Sequence, residues 1–407
     1  MNLTMLKRLF ARRNSRIVLL IELLLSYLAF FLIISFMVKQ VQNKQYPLGF
    51  EYHGLYKIGV DESTVTDQES FEQDIGEIME FIRNYPGVTE LSKCMSSFFF
   101  NKGYMYPSSP LRYGELAIPN DQVNEMLADD DFSRALGIEV TEGRWFEPGD
   151  NASANRPAVV SQQLRTLLFG NGNALGELVD YCGQQCKVVG VCKDFKHKGD
   201  YTRPEATLIL RQVDVKDLPY ETWMCMWGSY CGQSVFMQTT GSLPETFEPD
   251  LIAQVAQRYN GIVLTIQSME KTHAKYVRNT WLPLVAIFLV ILALFLNVLF
   301  GMFGVMWYNI SLRRSEIGLR MAVGANKGHI YRQFVGEMVV LTTVAVIPGL
   351  ILAAQAPILD LFEMGTRVYI ISMVLAAVVI YILVTSCVLL PSAQATKILP
   401  AVALHEE

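Results

Sequence analysis

Four apolar segments interrupt a chain in which hydrophobic and polar positions otherwise follow helical or strand spacing. They are residues 17–38, 281–308, 334–356 and 368–390. A helix needs about 20 apolar residues to cross a bilayer, and each segment reaches that length. The pattern therefore predicts four transmembrane helices. No cleavage sequence follows the first span, so we interpret it as a retained anchor.

The polar segment between the first two spans, residues 39–280, alternates strand-like and helix-like patterns. A helix is predicted at 121–127, and a change of character predicts a second lobe, at about 132–201, inserted into the first. Residues 193–198, KDFKHK, are interpreted as a solvated loop, with a charged site as the alternative. Helical sequence continues at both ends, which predicts two stalk helices. The expected fold is an α+β membrane protein: four transmembrane helices and a large two-lobed α+β extracytoplasmic domain between the first and second spans.

Basic residues near the membrane ends predict the orientation, because they are retained in the cytoplasm. An amphipathic lead-in at 1–16, expected to lie on membrane lipid, carries Lys7, Arg8, Arg12, Arg13 and Arg16. The loop at 309–333 carries Arg313, Arg314, Arg320, Lys327 and Arg332. The link at 357–367 carries Asp360, Glu363 and Arg367. We therefore expect both termini, including the tail at 391–407, and the loop at 309–333 in the cytoplasm.

Residues 311–325, SLRRSEIGLRMAVGA, combine a charged and an apolar helix face. Charges of alternating sign recur at helical spacing along Arg313, Glu316 and Arg320. A different, apolar face is formed by Leu312, Leu319 and Val323. From these residues alone, a solvated loop helix and a helix that docks another protein both remain open.

Three polar residues fall in or beside the apolar spans: Glu22, Asn297 and Glu337. An intramembrane carboxylate is a functional candidate by default. Glu22 follows Arg16 by less than two turns, so pairing with headgroups or arginines is the alternative. Asn297 is expected to form a hydrogen bond between helices.

Every cysteine except Cys387 lies in the predicted outside domain, where disulfides persist. Cys182 with Cys186, and Cys225 with Cys231, are close enough in sequence to pair, so both are candidate disulfides. Buried free thiols are the alternative. A zinc site is not expected, because the spacings differ from those of zinc knuckles.

Sequence patterns of catalysis are missing from the chain. It has no G-x-S-x-G elbow, no H-E-x-x-H and no G-x-x-x-x-G-K-[ST] phosphate loop, and its five histidines are scattered. We therefore expect no enzymatic activity, no metal site and no nucleic-acid partner. The net charge of −5 decides little, because the basic residues are concentrated inside and the acidic ones outside.

Residues 313–337, RRSEIGLRMAVGANKGHIYRQFVGE, closely resemble the R-x-x-E-I-x-x-x-x-A-x-G-A signature of FtsX-like permease domains. The tail LPSAQATKILPAVALHEE resembles the closing pattern of that domain, which we place at 281–400. LGIEVTEGRWFEPGD and CKVVGVCKDF are similar to stretches of MacB-type periplasmic domains. The chain thus resembles the four-span permeases of type VII ABC transporters over nearly its whole length.

This resemblance implies a permease subunit that couples a separate cytoplasmic ABC ATPase to movements of the outside domain. ATP and magnesium would be bound by that partner, with no cofactor in this chain. The implied ATPase-coupling residues are Arg313, Arg314, Glu316, Ile317, Gly318, Arg320, Ala322, Gly324 and Ala325. The family works in the bacterial inner membrane, with the large domain in the periplasm, as a dimer with an identical or related second permease copy.

The expected role is export or extraction of an envelope substrate, with a periplasmic adaptor or an outer-membrane channel as a further partner. The alternative role is that of an FtsX-like regulator, which would activate a wall hydrolase or a sensor in the periplasm. Both roles would use the same coupling loop.

Overall fold

A computed structural model describes residues 13–61, 68–96, 99–100, 110–212, 233–241, 244, 246–259, 262–312, 319, 323, 327–359, 361–362 and 364–395. The chain divides into two compact units. One consists of residues 1–42 and 281–407, and the other of residues 43–280.

The helices and strands of the described residues are numbered in chain order. The helices are α1 (Arg13–Lys44), α2 (Gln68–Arg83), α3 (Phe132–Leu136), α4 (Gln162–Phe169), α5 (Phe247–Arg258), α6 (Met269–Leu312), α7 (Lys327–Ala353), α8 (Gln355–Ile358) and α9 (Thr366–Ala395). The strands are β1 (Leu55–Asp61), β2 (Val88–Ser96), β3 (Leu111–Tyr113), β4 (Leu116–Ile118), β5 (Val123–Ala128), β6 (Val140–Gly143), β7 (Arg156–Ser161), β8 (Leu178–Tyr181), β9 (Gln184–Cys192), β10 (Ala206–Arg211), β11 (Gln233–Thr239) and β12 (Val263–Ser268).

Four helical segments are long and apolar enough to cross a membrane. They are Ile17–Lys44, Met269–Ala293, Arg332–Ile358 and Thr366–Val388. α1 continues past the predicted end of its span, and α6 begins before the predicted start of its span and runs unbroken for 44 residues. The four predicted apolar helices are therefore confirmed, and both helices at the ends of the polar segment extend beyond their apolar parts.

In the unit that contains these spans, α1, α7 and α9 pack together through apolar side chains. Near one end, Leu19 and Leu23 belong to the same buried cluster as Met338 and Val384. A second cluster groups aromatic side chains of α1 with the start of α9, where Tyr27 is fully buried. A hydrogen bond also joins α1 to α9, because the Tyr27 hydroxyl donates to the carbonyl of Met373 at 3.3 Å.

Residues 43–280 form a mixed sheet of 12 described strands, in the order β12-β1-β11-β2-β5-β10-β7-β9-β8-β3-β4, with β6 paired to β9. The pairs β5–β10 and β7–β9 are parallel, and the others are antiparallel. α2 and α5 cover a core that includes Ile78 and Leu251, and α4 covers a separate core that includes Leu164. A third buried cluster includes Phe132, Trp145 and Phe236. The described part of this unit is thus a mixed α/β domain with three buried clusters along one sheet.

The predicted boundaries of the inserted lobe, about 132–201, are wrong in this sheet. The hairpin β3–β4 precedes residue 132 in the chain, yet it pairs with β8 at the far edge. β5 and β10, which lie on either side of the predicted insert, pair with each other in parallel and join the two halves. The described members of the buried cluster under α4 all lie within residues 111–210, and β2 and β11 on either side of that stretch pair with each other. The second lobe therefore begins earlier in the chain than predicted.

The helix predicted at 121–127 is also wrong, because these residues form a 3₁₀ turn at Asn120–Gln122 followed by β5. Every residue of β5 is buried. Strands lie on both sides of it, since Met126 is paired with Ser96 of β2 and Ile209 of β10. A strand in the middle of a sheet with both faces covered loses the alternation that identifies strands in a sequence.

Candidate functional site

The predicted coupling loop lies between the end of α6 and the start of α7. Its predicted ATPase-coupling residues fall outside the described residues: Arg313, Arg314, Glu316, Ile317, Gly318, Arg320, Ala322, Gly324 and Ala325. The side chains of two members of the apolar face, Leu319 and Val323, are described. The amide of Val323 donates to the carbonyl of Leu319 at 3.0 Å, which is helical spacing, and their side chains are 82% and 55% exposed. This stretch therefore presents an apolar pair on its surface.

Glu22, on α1, lies against a glycine of α6. A Cβ atom placed on Gly301 would be 3.1 Å and 3.2 Å from the two carboxylate oxygens of Glu22. The hydroxyl of Ser26 donates to the Glu22 carbonyl at 2.7 Å. Because Gly301 has no side chain, the backbone of α6 can approach the carboxylate, and the structure brings a predicted polar residue into a helix–helix contact.

The other two predicted polar residues do not join Glu22 in a common site among the described contacts. Gln333 donates to the carboxylate of Glu337 at 3.3 Å, one turn away on α7. Asn297 lies in α6, but its side chain is outside the described residues.

Sequence reasoning missed the two glycines that set close helix contacts between the spans. Gly301 meets Glu22, and a Cβ on Gly349 would be 2.5 Å from a ring carbon of Tyr27. Small residues let helix backbones approach in membranes. A glycine within an apolar helix was therefore a signal for close helix packing. The sequence did not indicate which helix would pack against it.

The proposed disulfide between Cys182 and Cys186 is wrong. Cys182 is disulfide-bonded, whereas Cys186 is a buried thiol whose pKa is raised by burial to about 12. Cys182 follows β8 in the hairpin turn, and Cys186 is paired with Val179 across the hairpin. The hairpin thus places Val179, rather than Cys182, opposite Cys186. The other proposed pair, Cys225 with Cys231, lies outside the described residues.

The segment interpreted as a solvated loop, residues 193–198, contains two buried polar side chains. Lys196 and His197 are each 2% exposed. Burial and the neighbouring Lys198 lower the pKa of His197 to about 3, so its imidazole is neutral. Burial also lowers the pKa of Lys196. The solvated-loop interpretation is therefore wrong for these two residues. The Lys196 ammonium donates to the Asn43 carbonyl near the end of α1, and His197 Nε2 lies 3.6 Å from the Glu205 carboxylate.

Two protein-family models match the chain. The MacB-like periplasmic core domain matches residues 29–222, and the FtsX-like permease C-terminal domain matches residues 284–400. The first match runs from α1 to beyond β10. The second covers most of α6 together with α7, α8 and α9.

Curated relatives include exporters and permeases. The macrolide export ATP-binding/permease protein MacB 1/2 of Paracoccus denitrificans is 27% identical over 253 residues, which cover 60% of this chain and 35% of that protein. The uncharacterized ABC transporter permease YvrN of Bacillus subtilis is 27% identical over 295 residues, 69% of each chain. The chain therefore spans about a third of the length of the MacB protein.

Among solved structures, the periplasmic region of MacB from Actinobacillus actinomycetemcomitans aligns with 54% of this chain and 91% of its own. The sequence identity is 14% and the TM-score 0.36, a similarity on which no conclusion rests.

Proposed function

Because this chain belongs to the ABC transporter permeases with a MacB-like periplasmic core domain and an FtsX-like permease domain, we propose that it couples a partner ATPase to movements of its periplasmic domain. The observation that carries this proposal is the order of the two family matches along the chain. Their order is that of a permease with a periplasmic domain ahead of its last three spans.

The proposed topology places residues 43–280 in the periplasm, between the first and second spans, and both termini in the cytoplasm. The basic residues at 1–16 and 309–333 support this orientation in a bacterial inner membrane. Helices α1 and α6 would then carry motion between the membrane and the domain, since each extends beyond its apolar part.

The proposed partner is a separate cytoplasmic ATPase, which would bind ATP and magnesium and dock on the loop at 309–333. The sequence carries no phosphate loop of its own. The exposed pair Leu319 and Val323 supports docking here, because apolar side chains on a cytoplasmic loop gain free energy when a partner covers them. A second permease copy, identical or related, completes the proposed transporter.

Export or extraction of an envelope substrate is the proposed role. The match to the MacB-like periplasmic core domain supports it over a regulatory role, because the relatives of this chain include a named macrolide export protein. A periplasmic adaptor or an outer-membrane channel is part of this proposal.

The test is co-purification of the ATPase from native membranes. The pair Leu319→Asp and Val323→Asp should lower the recovered ATPase at least about tenfold, because interface anchors dominate binding energy. Leu361→Asp is the matched control, since Leu361 is 56% exposed on the link before α9. Glu316→Lys, which breaks the alternating charges, should also lower recovery. Unchanged recovery and unchanged ATP hydrolysis in both coupling variants would overturn the docking proposal.

A further inference from the structure

Residues 193–201, which we name the clamp loop, contact the helices at both ends of the domain. The loop begins directly after β9, a strand inside the sheet. Its contacts with the end of α1 and the start of α6 all belong to the compact unit of residues 43–280. One short loop therefore meets both stalk helices and one strand.

The first anchor is at the last turn of α1, where Asn43 is buried. The Lys196 ammonium donates to the Asn43 carbonyl at 3.0 Å, and the Asn43 amide nitrogen Nδ2 donates to the carbonyl of Tyr201 at 2.8 Å. Carbonyls in the last turn of a helix have no partner within the helix, and a cation there is favourable. The amide of Tyr46 also donates to the Asn43 carbonyl, at 3.3 Å, so the clamp loop adds a charged donor to the C-terminal end of α1.

The second anchor is in the first turns of α6. The imidazole nitrogen Nε2 of His273 contacts the Asp200 carboxylate. One turn later, the ring of Tyr276 lies over Gly199, where a Cβ would be 2.5 Å from a ring carbon. Gly199 has a φ of +106°, a backbone conformation that favours glycine. Both contacts fix the loop to one face of α6.

Lys196 connects the two anchors. Besides the Asn43 carbonyl, its ammonium donates to the carbonyl of Asp200 at 2.8 Å. The amide of Lys196 donates to the carbonyl of Leu48 at 2.8 Å, so the residue is held on both sides. A buried ammonium that loses its acceptors is costly. Displacing Asn43 therefore forces either Asp200 to follow or Lys196 to give up an acceptor.

We propose that Lys196 and Asp200 are positioning residues that join the last turn of α1 to the first turns of α6. A displacement of either helix then reaches the other helix and β9 through the clamp loop. This inference rests on the proposed function, in which motions of the membrane helices must reach the periplasmic domain.

The test is hydrogen–deuterium exchange of the full-length chain in lipid nanodiscs, without an ATPase. Asn43→Ala should raise amide exchange in the first turns of α6, which it does not touch directly. His273→Phe, which keeps a ring beside Tyr52 and Phe100, should raise exchange in the last turn of α1. We expect up to roughly tenfold faster exchange, as for loss of a buried hydrogen bond: Asn43→Ala removes the bond to the Tyr201 carbonyl, and His273→Phe removes the contact with Asp200.

The matched control is Lys193→Met. Lys193 lies in the same loop but pairs with Glu139 on the surface, so both helix ends should exchange as in the parent chain. Lys196→Met should raise exchange at both helix ends together. If it does not fold, Asp200→Asn replaces it, since that change removes the carboxylate that contacts His273 and should also raise exchange at both helix ends. Exchange that rises only at the helix carrying each substitution would overturn the proposal.

A second arm adds the ATPase recovered with the parent chain. Nucleotide should change exchange in β9 of the parent, whereas Lys196→Met should hydrolyse ATP at the parental rate without that change. Parental nucleotide response in Lys196→Met would count against the proposal. If no ATPase is recovered with the parent chain, the proposed function is wrong. The measurement without an ATPase still tests whether the clamp loop connects α1 to α6.

Discussion

Asp150 shows how the neighbours of one residue set its charge. Both terminal nitrogens of Arg144 donate to its carboxylate, at 2.8 Å and 2.6 Å, and the amide of Glu147 donates at 3.0 Å. The hydrogen bonds from Arg144 lower the pKa of Asp150. The folded pKa is therefore below the unfolded one. The stabilisation is present above the unfolded pKa and is lost as the pH falls through the folded pKa.

We predict that Asp150→Asn lowers the melting temperature of the full-length chain at pH 7, and that this difference disappears in acid. The loss should be about 0.5–1 kcal/mol, because Arg144 is 42% exposed and solvent screens the pair. Thermal unfolding in detergent from pH 7 to about pH 2, well below the ordinary pKa of an aspartate, measures it. Glu139→Gln, at an exposed pair with Lys193, is the control. A difference that stays constant with pH would contradict the prediction.

The contacts of Lys196 and Asp150 could not be predicted from the sequence, although both residues lie in stretches that the sequence analysis singled out. The G-R-x-F stretch was matched to a family pattern, but the pairing of Arg144 with Asp150 follows from the turn at Pro148–Ala152. The run KDFKHK reads as a solvated loop because it is rich in cations. Its burial follows from carbonyls of α1 and of the loop itself, which the sequence does not bring together.

At the scale of elements, the length of the apolar segments predicted the membrane helices correctly. The spacing of apolar residues gave the wrong prediction for one strand, β5. β5 contains Val123, Met126 and Leu127, whose spacing of three and four residues is also helical. The strand forms because β2 and β10 provide hydrogen-bonding partners along it. Tertiary pairing overrides local preference when both faces of a strand are covered.

The contact between α1 and α6 depends on a glycine. We predict that Gly301→Leu lowers the melting temperature in detergent, because a side chain there must displace the Glu22 carboxylate. The expected loss is about 1–3 kcal/mol, as for other overpacked contacts. Gly304→Leu, about one helical turn further along α6, is the matched control, since a Cβ there would have no heavy atom within 4 Å. Equal melting temperatures for the two variants would show that this contact does not stabilise the protein.

At the scale of the whole molecule, the cysteines of the described residues fall into two chemical states. Cys182 is disulfide-bonded, whereas Cys94, Cys186, Cys192 and Cys387 are thiols. Cys225 and Cys231 lie outside the described residues, and we take them as the candidate partners of Cys182. A bond to either one would close a loop much longer than the hairpin bond expected from sequence.

We predict that peptide mapping under non-reducing conditions links Cys182 to Cys225 or Cys231. Cys182→Ser should abolish that linked peptide and cost about 2–4 kcal/mol of stability, because the constraint on the unfolded chain is lost. Cys186→Ala should keep the linked peptide and cost about 1 kcal/mol through the volume it removes. A peptide linking Cys182 to Cys186 would contradict this assignment.

The sequence by itself determined the four apolar helices, the extension of α1 and α6 beyond their spans, and the family. These features depend on local composition and on motifs that are read along the chain. Only the tertiary structure decided the strand order, the burial of Lys196 and the meeting of Glu22 with Gly301. Each of these features requires segments that are far apart in sequence to come together. The free energy of such a contact depends on both segments at once, so neither segment predicts it alone.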